Sequence, residues 1–150
     1  LGDVYKRQNK YFEMPLIEFE DEMMDIPEQE YTMDLEFDSR KLKKIIDELM
    51  LMGESVNIQG NEKEVNVTTS SVEGTMKINI PFDDIEAFSI EEDKTIDMQL
   101  SLKFIRNMCL FNKISPSLSL HLSEQTPMQL KYTMDESSYV RFYLAPQVDE

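Results

Sequence analysis

Two segments of the chain carry lysine and arginine at spacings that gather them on one side of a helix. Arg40, Lys43 and Lys44 stand in DSRKLKKIIDELMLMG, and Lys103, Arg106 and Lys113 in SLKFIRNMCLFNKI. At about 100° per residue each set falls opposite an apolar side. That side is Leu42, Ile45, Ile46, Leu49 and Met52 in the first segment, and Phe104, Ile105, Met108, Cys109 and Phe111 in the second. Cations on a helix face suit contact with phosphate oxygens, which positions a nucleic acid without reading its bases. A solvated helix carries such residues anyway, so one helix alone says little. Two of them in a chain of net charge −15 say more, because the acids, Asp47 among the first set apart, concentrate elsewhere. None occurs between Met98 and Ser123; they gather in residues 9–29 and 83–97 and at the tail.

Other chemistries find less support. Cys109 and His121 are the single cysteine and single histidine, which excludes a disulfide framework or a Cys/His metal set. No cofactor is expected. Neither a triad nor another nucleophile–base pair stands out, and scattered acids do not signal catalysis, so the chain reads as non-enzymatic. Cys109 is expected to pack in a helix and His121 to sit on a strand. No apolar run approaches the ~20 residues of a membrane span, and a soluble, reducing compartment is expected.

The elements that must hold the two helices follow from periodicity. YTMDLEF alternates as a half-buried strand, and a helix runs from Asp38, capped by Asp38 or Ser39, to Gly53. SVNIQG, EVNVTTS and TMKINI are short strands joined by GNEK and SVEG turns. The order then repeats: TIDMQL is a strand, SLKFIRNMCLFNKI a helix stopped before Pro116, and SLSLHLS, PMQLKYTM and SYVRFYLA are strands. Val56 in the first copy matches Leu118, 62 residues later. The segment PFDDIEAFSIEED links the copies and is expected to hold one more short strand. A duplicated βαβββ unit of this kind predicts an α+β fold, with two helices packed together on antiparallel sheet. Residues 9–29 hold neither period and contain Pro15 and Pro27, so they read as an acidic connector. Residues 1–8, LGDVYKRQ, resemble a translated sequencing-library adapter and are expected to lie outside the fold.

IPEQEY (Ile26–Tyr31) after an acidic linker, the duplicated order and the terminal FYLAP (Phe142–Pro146) resemble the proliferating cell nuclear antigen (PCNA) family of sliding clamps. The resemblance covers residues 10–150. It implies a DNA-clamp fold, with residues 9–29 as the interdomain connecting loop and residues 30–146 as the C-terminal clamp domain. The halves of that domain are 30–92 and 93–146, an acidic tail follows at 147–150, and the first domain is missing. It implies a homotrimeric ring around double-stranded DNA, held without sequence preference. DNA polymerase, flap endonuclease, ligase and the clamp loader would dock through PIP-box peptides, in a nucleus, a viral replication compartment or an archaeal cytoplasm. The peptide pocket would take Met24, Ile26 and Pro27 from the loop, Pro127 from a strand start, and Tyr143, Ala145 and Pro146 from the terminal segment. The DNA-facing set would be Lys44 and Lys103, with Arg40, Lys43, Arg106 and Lys113 beside them, while Asp47 and Leu110 stand where relatives often carry a base. The subunit-interface edge would be Thr75, Met76, Lys77, Ile78, Asn79 and Ile80. Its partner edge would lie in the missing first domain, so this chain by itself is expected not to close a ring. A clamp-fold paralogue, such as a checkpoint-ring subunit or a viral monomeric processivity factor, remains the alternative.

Overall fold

A computed structural model of the chain describes residues 11–15 and 30–148. The elements run β1 (Tyr11–Pro15), β2 (Met33–Asp38), α1 (Ser39–Met50), β3 (Ser55–Gly60), β4 (Val65–Ser71) and β5 (Gly74–Ile80). After a 3₁₀ turn at Phe82–Asp84 come β6 (Ile85–Ile90), β7 (Ile96–Ser101), α2 (Leu102–Cys109), β8 (Ser117–Leu122), β9 (Met128–Asp135) and β10 (Ser138–Leu144). They form two sheets, β1-β10-β9-β8-β2-β6 and β5-β4-β3-β7. The α+β clamp fold and its duplication are as the sequence predicts.

The two copies exchange their first strands. β2 leaves its own hairpins and pairs with β8 of the second copy, and β7 pairs with β3 of the first. Each of these strands runs directly into its helix, so the strand's last residue caps it. Asp38 accepts from the Arg40 and Lys41 amides, and Ser101 Oγ accepts from the Phe104 amide. The first residue of each helix is tied to the other copy: the Ser39 amide donates to the Pro116 carbonyl at 2.8 Å, and the Leu102 amide to the Glu54 carbonyl at 3.0 Å. Alternate residues of both sheets then face one core with the apolar sides of α1 and α2. Leu49, Leu100, Leu102, Met108 and Leu130 are wholly buried within it.

Four expectations change. Residues 11–15 of the connector form a strand, β1, parallel to β10, because β10 otherwise ends the sheet with an unpaired edge. The second helix stops at Cys109 instead of reaching Ile114. Beyond it the chain closes successive i→i+3 turns, Phe111 to Met108 and Asn112 to Cys109, both at 3.2 Å. Phe111 consequently leaves the sheet-facing row and is 40% exposed, its ring tilted against Phe142. Met52 is likewise half-buried beyond the end of α1, outside the inward row expected of it. The expected extra strand is β6, on the outer edge of β2.

Two close contacts fix the helices on the sheets. The buried Tyr132 hydroxyl donates to the Met108 carbonyl in the last turn of α2, at 2.9 Å. Burial raises the phenol's pKa, so it stays neutral and donates. Tyr132→Phe removes this bond while the carbonyl keeps the Phe111 amide, and is expected to cost about 0.5–1.5 kcal/mol in urea unfolding. Gly53, whose amide bonds the Leu49 carbonyl, lies against β4: a Cβ there would stand 2.1 Å from Thr69 Oγ1 and 3.0 Å from the Ser70 carbonyl oxygen. Thr69 cannot give way freely, since its hydroxyl donates to the Ser55 carbonyl at 2.7 Å. Gly53→Ala is therefore expected to lower stability by about 1–3 kcal/mol, read from the same urea midpoints.

Candidate nucleic-acid interface and partner face

α1 and α2 pack side by side, apolar sides down, which brings the two cationic rows onto one surface. Arg40, Lys44, Lys103 and Arg106 are exposed there and Lys43 is half-buried. Lys113 is exposed too, in the turns after α2 and off its helical face. Arg40, Lys44, Lys103 and Lys113 make no ion pair among the described residues, and their charge is available to a phosphate.

Asp47 tempers this surface. It accepts from Lys43 Nζ at 2.9 Å and, across the helix pair, from Arg106 Nε at 3.3 Å. The Lys43 hydrogen bond does most to hold its carboxyl below the usual range, and Arg106 adds to it, against a partial burial that acts the other way. A depressed carboxylate stabilises the fold above its unfolded pKa of about 3.9 and loses that contribution as pH falls through the folded value. Asp47 is 40% exposed, so solvent reduces this to a fraction of a kcal/mol. Asp47→Asn should thus lower stability slightly while raising the attraction of this surface for a duplex DNA probe, because Lys43 and Arg106 are released. Paired melting and low-salt binding measurements read the two opposite signs. Lys41 pairs with Asp84 at 3.5 Å, and Leu110, 54% exposed, follows the last residue of α2.

The pocket residues separate into two groups. Met24, Ile26 and Pro27 lie outside the described residues. The other four meet at one end of the β9–β10 pair, where Met128 is opposite Leu144 and Gln129 opposite Tyr143. Pro127 precedes Met128, and Ala145 and Pro146 follow Leu144; all three are half-buried and Tyr143 is buried. The segment is pinned just beyond them. The Gln147 amide donates to the Gln99 carbonyl at 2.7 Å, and its side-chain oxygen accepts from Ser55 Oγ at 2.7 Å and Gln99 Nε2 at 3.3 Å. The anchoring role of Gln147 needs β7 and β3 brought beside it, which no local pattern shows.

The expected edge, Thr75–Ile80, lies in β5, which ends the four-stranded sheet and among the described residues pairs with β4 alone. Thr75, Lys77 and Asn79 point to solvent, and Met76, Ile78 and Ile80 pack toward the core. Cys109 is buried in α2, its thiol pushed up to about 12 chiefly by burial, so it is not a nucleophile. No helix of the described residues is long and apolar enough to cross a membrane. His121 is on β8 as expected, but it touches both Asp34 and Ser119. Asp34 lies 87 residues away from it in the chain, so their meeting depends on strand pairing. The Ser119–His121 spacing, two apart on an alternating strand, is the one local signal of that arrangement.

Residues 25–147 match the family described as "Proliferating cell nuclear antigen, C-terminal domain". The chain is 30% identical over 145 residues to proliferating cell nuclear antigen of Chaetomium thermophilum, covering 93% of this chain and 56% of that one. It is 29% identical over 144 residues to the protein of the same name from Dictyostelium discoideum, covering 92% of this chain and 56% of the other. The chain thus spans about half the length of the curated relatives it matches. With the match running through every element from β2 to β10, the chain belongs to the proliferating cell nuclear antigen family and carries that family's C-terminal domain.

Proposed function

We propose that this domain is the partner-binding part of a sliding clamp, a ring subunit that lets replication and repair proteins stay on duplex DNA. The observation that carries the reading is the charge layout. Arg40, Lys44 and Lys103, with no ion pair among the described residues, share the surface of two packed helices in a chain of net charge −15. Such a surface attracts phosphates weakly and without sequence preference, while the surrounding acids oppose tight adhesion. Weak contact suits a protein retained by enclosing its substrate. In this reading three subunits close the ring, the free edge of β5 supplies one side of each junction, and β-strand addition completes it.

The apolar end of β9–β10, with Pro127, Tyr143, Ala145 and Pro146, forms part of a pocket to which Met24, Ile26 and Pro27 contribute. It takes PIP-box peptides of DNA polymerase, flap endonuclease, ligase and the clamp loader, in the nucleus. Apolar anchors in a small pocket account for most of such affinity. The acids of residues 9–30 speed the approach of peptides with basic flanks. No step of this function uses a cofactor or a catalytic group.

The test uses the full-length gene product with its loader on nicked circular DNA. Retention at moderate salt, lost when the circle is cut, is expected. Equal retention on circular and linear DNA would overturn the reading.

A further inference from the structure

On the face of the six-stranded sheet turned from the core, strand pairing lays polar side chains in two rows. One row runs Gln129, His121, Asp34 and Ser89 across β9, β8, β2 and β6, and the next runs Lys131, Ser119, Glu36 and Ala87. Members of a row stand directly opposite one another, and the rows are two residues apart along each strand. Small side chains on β6 and β8 leave the two carboxylates of β2 standing in a trough. It consists of two adjoining hollows of about 460 and 550 Å³ that share Asp34, Ser89, His121 and Lys131. The second also takes in Glu30, Glu91 and the Tyr31 ring, which tilts against the imidazole at 5.5 Å between centroids.

The trough is rich in acceptors and short of donors. Glu30, Glu36 and Glu91 make no ion pair among the described residues. Asp34 uses one oxygen, Oδ1, on His121 Nδ1. Gln129 is only 8% exposed, yet its side-chain oxygen has no hydrogen-bond partner among the described residues. A buried acceptor costs free energy unless something donates to it. The cations along the trough's far wall lean away from these acids. Lys131 Nζ and the Arg141 guanidinium stand over the Tyr139 ring of β10, 4.8 and 4.9 Å from its centroid. The connector supplies no cation either, since residues 16–29 contain neither lysine nor arginine.

We propose that this trough is a second docking surface, which takes an extended basic segment of a partner protein carrying two arginines two residues apart. An extended chain repeats its side-chain direction every second residue, about 7 Å, and Asp34 and Glu36 have the same spacing on β2. One guanidinium lies over the His121 and Tyr31 rings, its fork donating to Asp34 and to Gln129 Oε1, and the second donates to Glu36. Arginine fits better than lysine, because its planar fork reaches two acceptors at once and stacks on rings. The surface is separate from the apolar end of β9–β10: Asp34 and Glu36 are on β2, three strands from Tyr143 of β10. It also lies on the side of the sheet away from α1 and α2, so a partner held there leaves the cationic helices free.

The test is calorimetric titration of the full chain with two peptides of equal composition, Gly-Thr-Arg-Thr-Arg-Thr-Gly and Gly-Thr-Thr-Arg-Arg-Thr-Gly. Salt at about 0.15 M screens diffuse attraction to the acidic surface. Neither peptide has an aromatic or large apolar side chain for the apolar end of β9–β10. The first should bind about fivefold or more tightly than the second, because adjacent arginines point to opposite sides of an extended chain. Asp34→Asn with Glu36→Gln should weaken the first about tenfold or more. Glu62→Gln with Glu73→Gln removes the same charge from turns of the four-stranded sheet and should change it less than about twofold. Gln129→Leu should weaken it about fivefold while leaving the melting temperature unchanged or raised, because it deletes an unpaired buried acceptor. The peptide comparison needs wild type alone, so it decides even where a variant fails to fold. Equal affinity for the two peptides, equal losses in the two double variants, or full affinity in Gln129→Leu would overturn the proposal.

Discussion

Replacing Lys44 and Lys103 together by glutamate is expected to weaken the hold of the whole ring-forming protein on duplex DNA by roughly 10–100-fold at low salt. Both side chains are exposed on the packed helices and neither has an ion-pair partner among the described residues. Each lost phosphate contact lowers the slope of log affinity against log salt by about 0.9. The difference between variant and wild type should therefore shrink as salt rises, which separates lost phosphate contacts from misfolding. Solvated positions of this kind change stability by less than about 0.5 kcal/mol, so melting should hardly move. Asp47→Asn moves DNA affinity the opposite way on the same surface. Binding measured across a salt series for the three proteins checks all of this; parallel salt slopes for wild type and the double variant would remove these helices from the DNA contact.

Ala145→Asp is expected to lower PIP-box peptide affinity at least ~30-fold, about 2 kcal/mol, in calorimetric titration of the full-length protein. Ala145 is half-buried immediately after β10, beside Pro146 and across from Pro127, so a carboxylate there would be forced into the apolar end of the strand pair. Ile26→Ala should have an effect of similar size if the loop supplies the opposite wall. The Lys44 and Lys103 reversals should leave peptide binding alone, because distant sites act additively. Unchanged heat in both Ala145→Asp and Ile26→Ala would remove the pocket assignment and leave the DNA-contact prediction standing.

The chain's periodicity by itself determined the elements. Strict alternation in SVNIQG and SLSLHL, and the helical spacing of Leu42, Ile46 and Leu49, are local consequences of side-chain direction and need no distant partner. The cationic sides of both helices were legible for the same reason, as was Asp38 as a cap. Only the tertiary structure decided what depends on pairing between distant segments. It set the end of α2 at Cys109, where tight turns replace the helix, and the pairing of residues 11–15 with β10. It also decided that Asp47 shares its charge between two helices, that Gln147 anchors the tail on β7, and that Asp34 meets His121 across 87 residues of chain. The strand exchange lies behind several of these. A strand's own alternation fixes which face it buries, but its neighbour is chosen by which edge lies free and which core that face can complete.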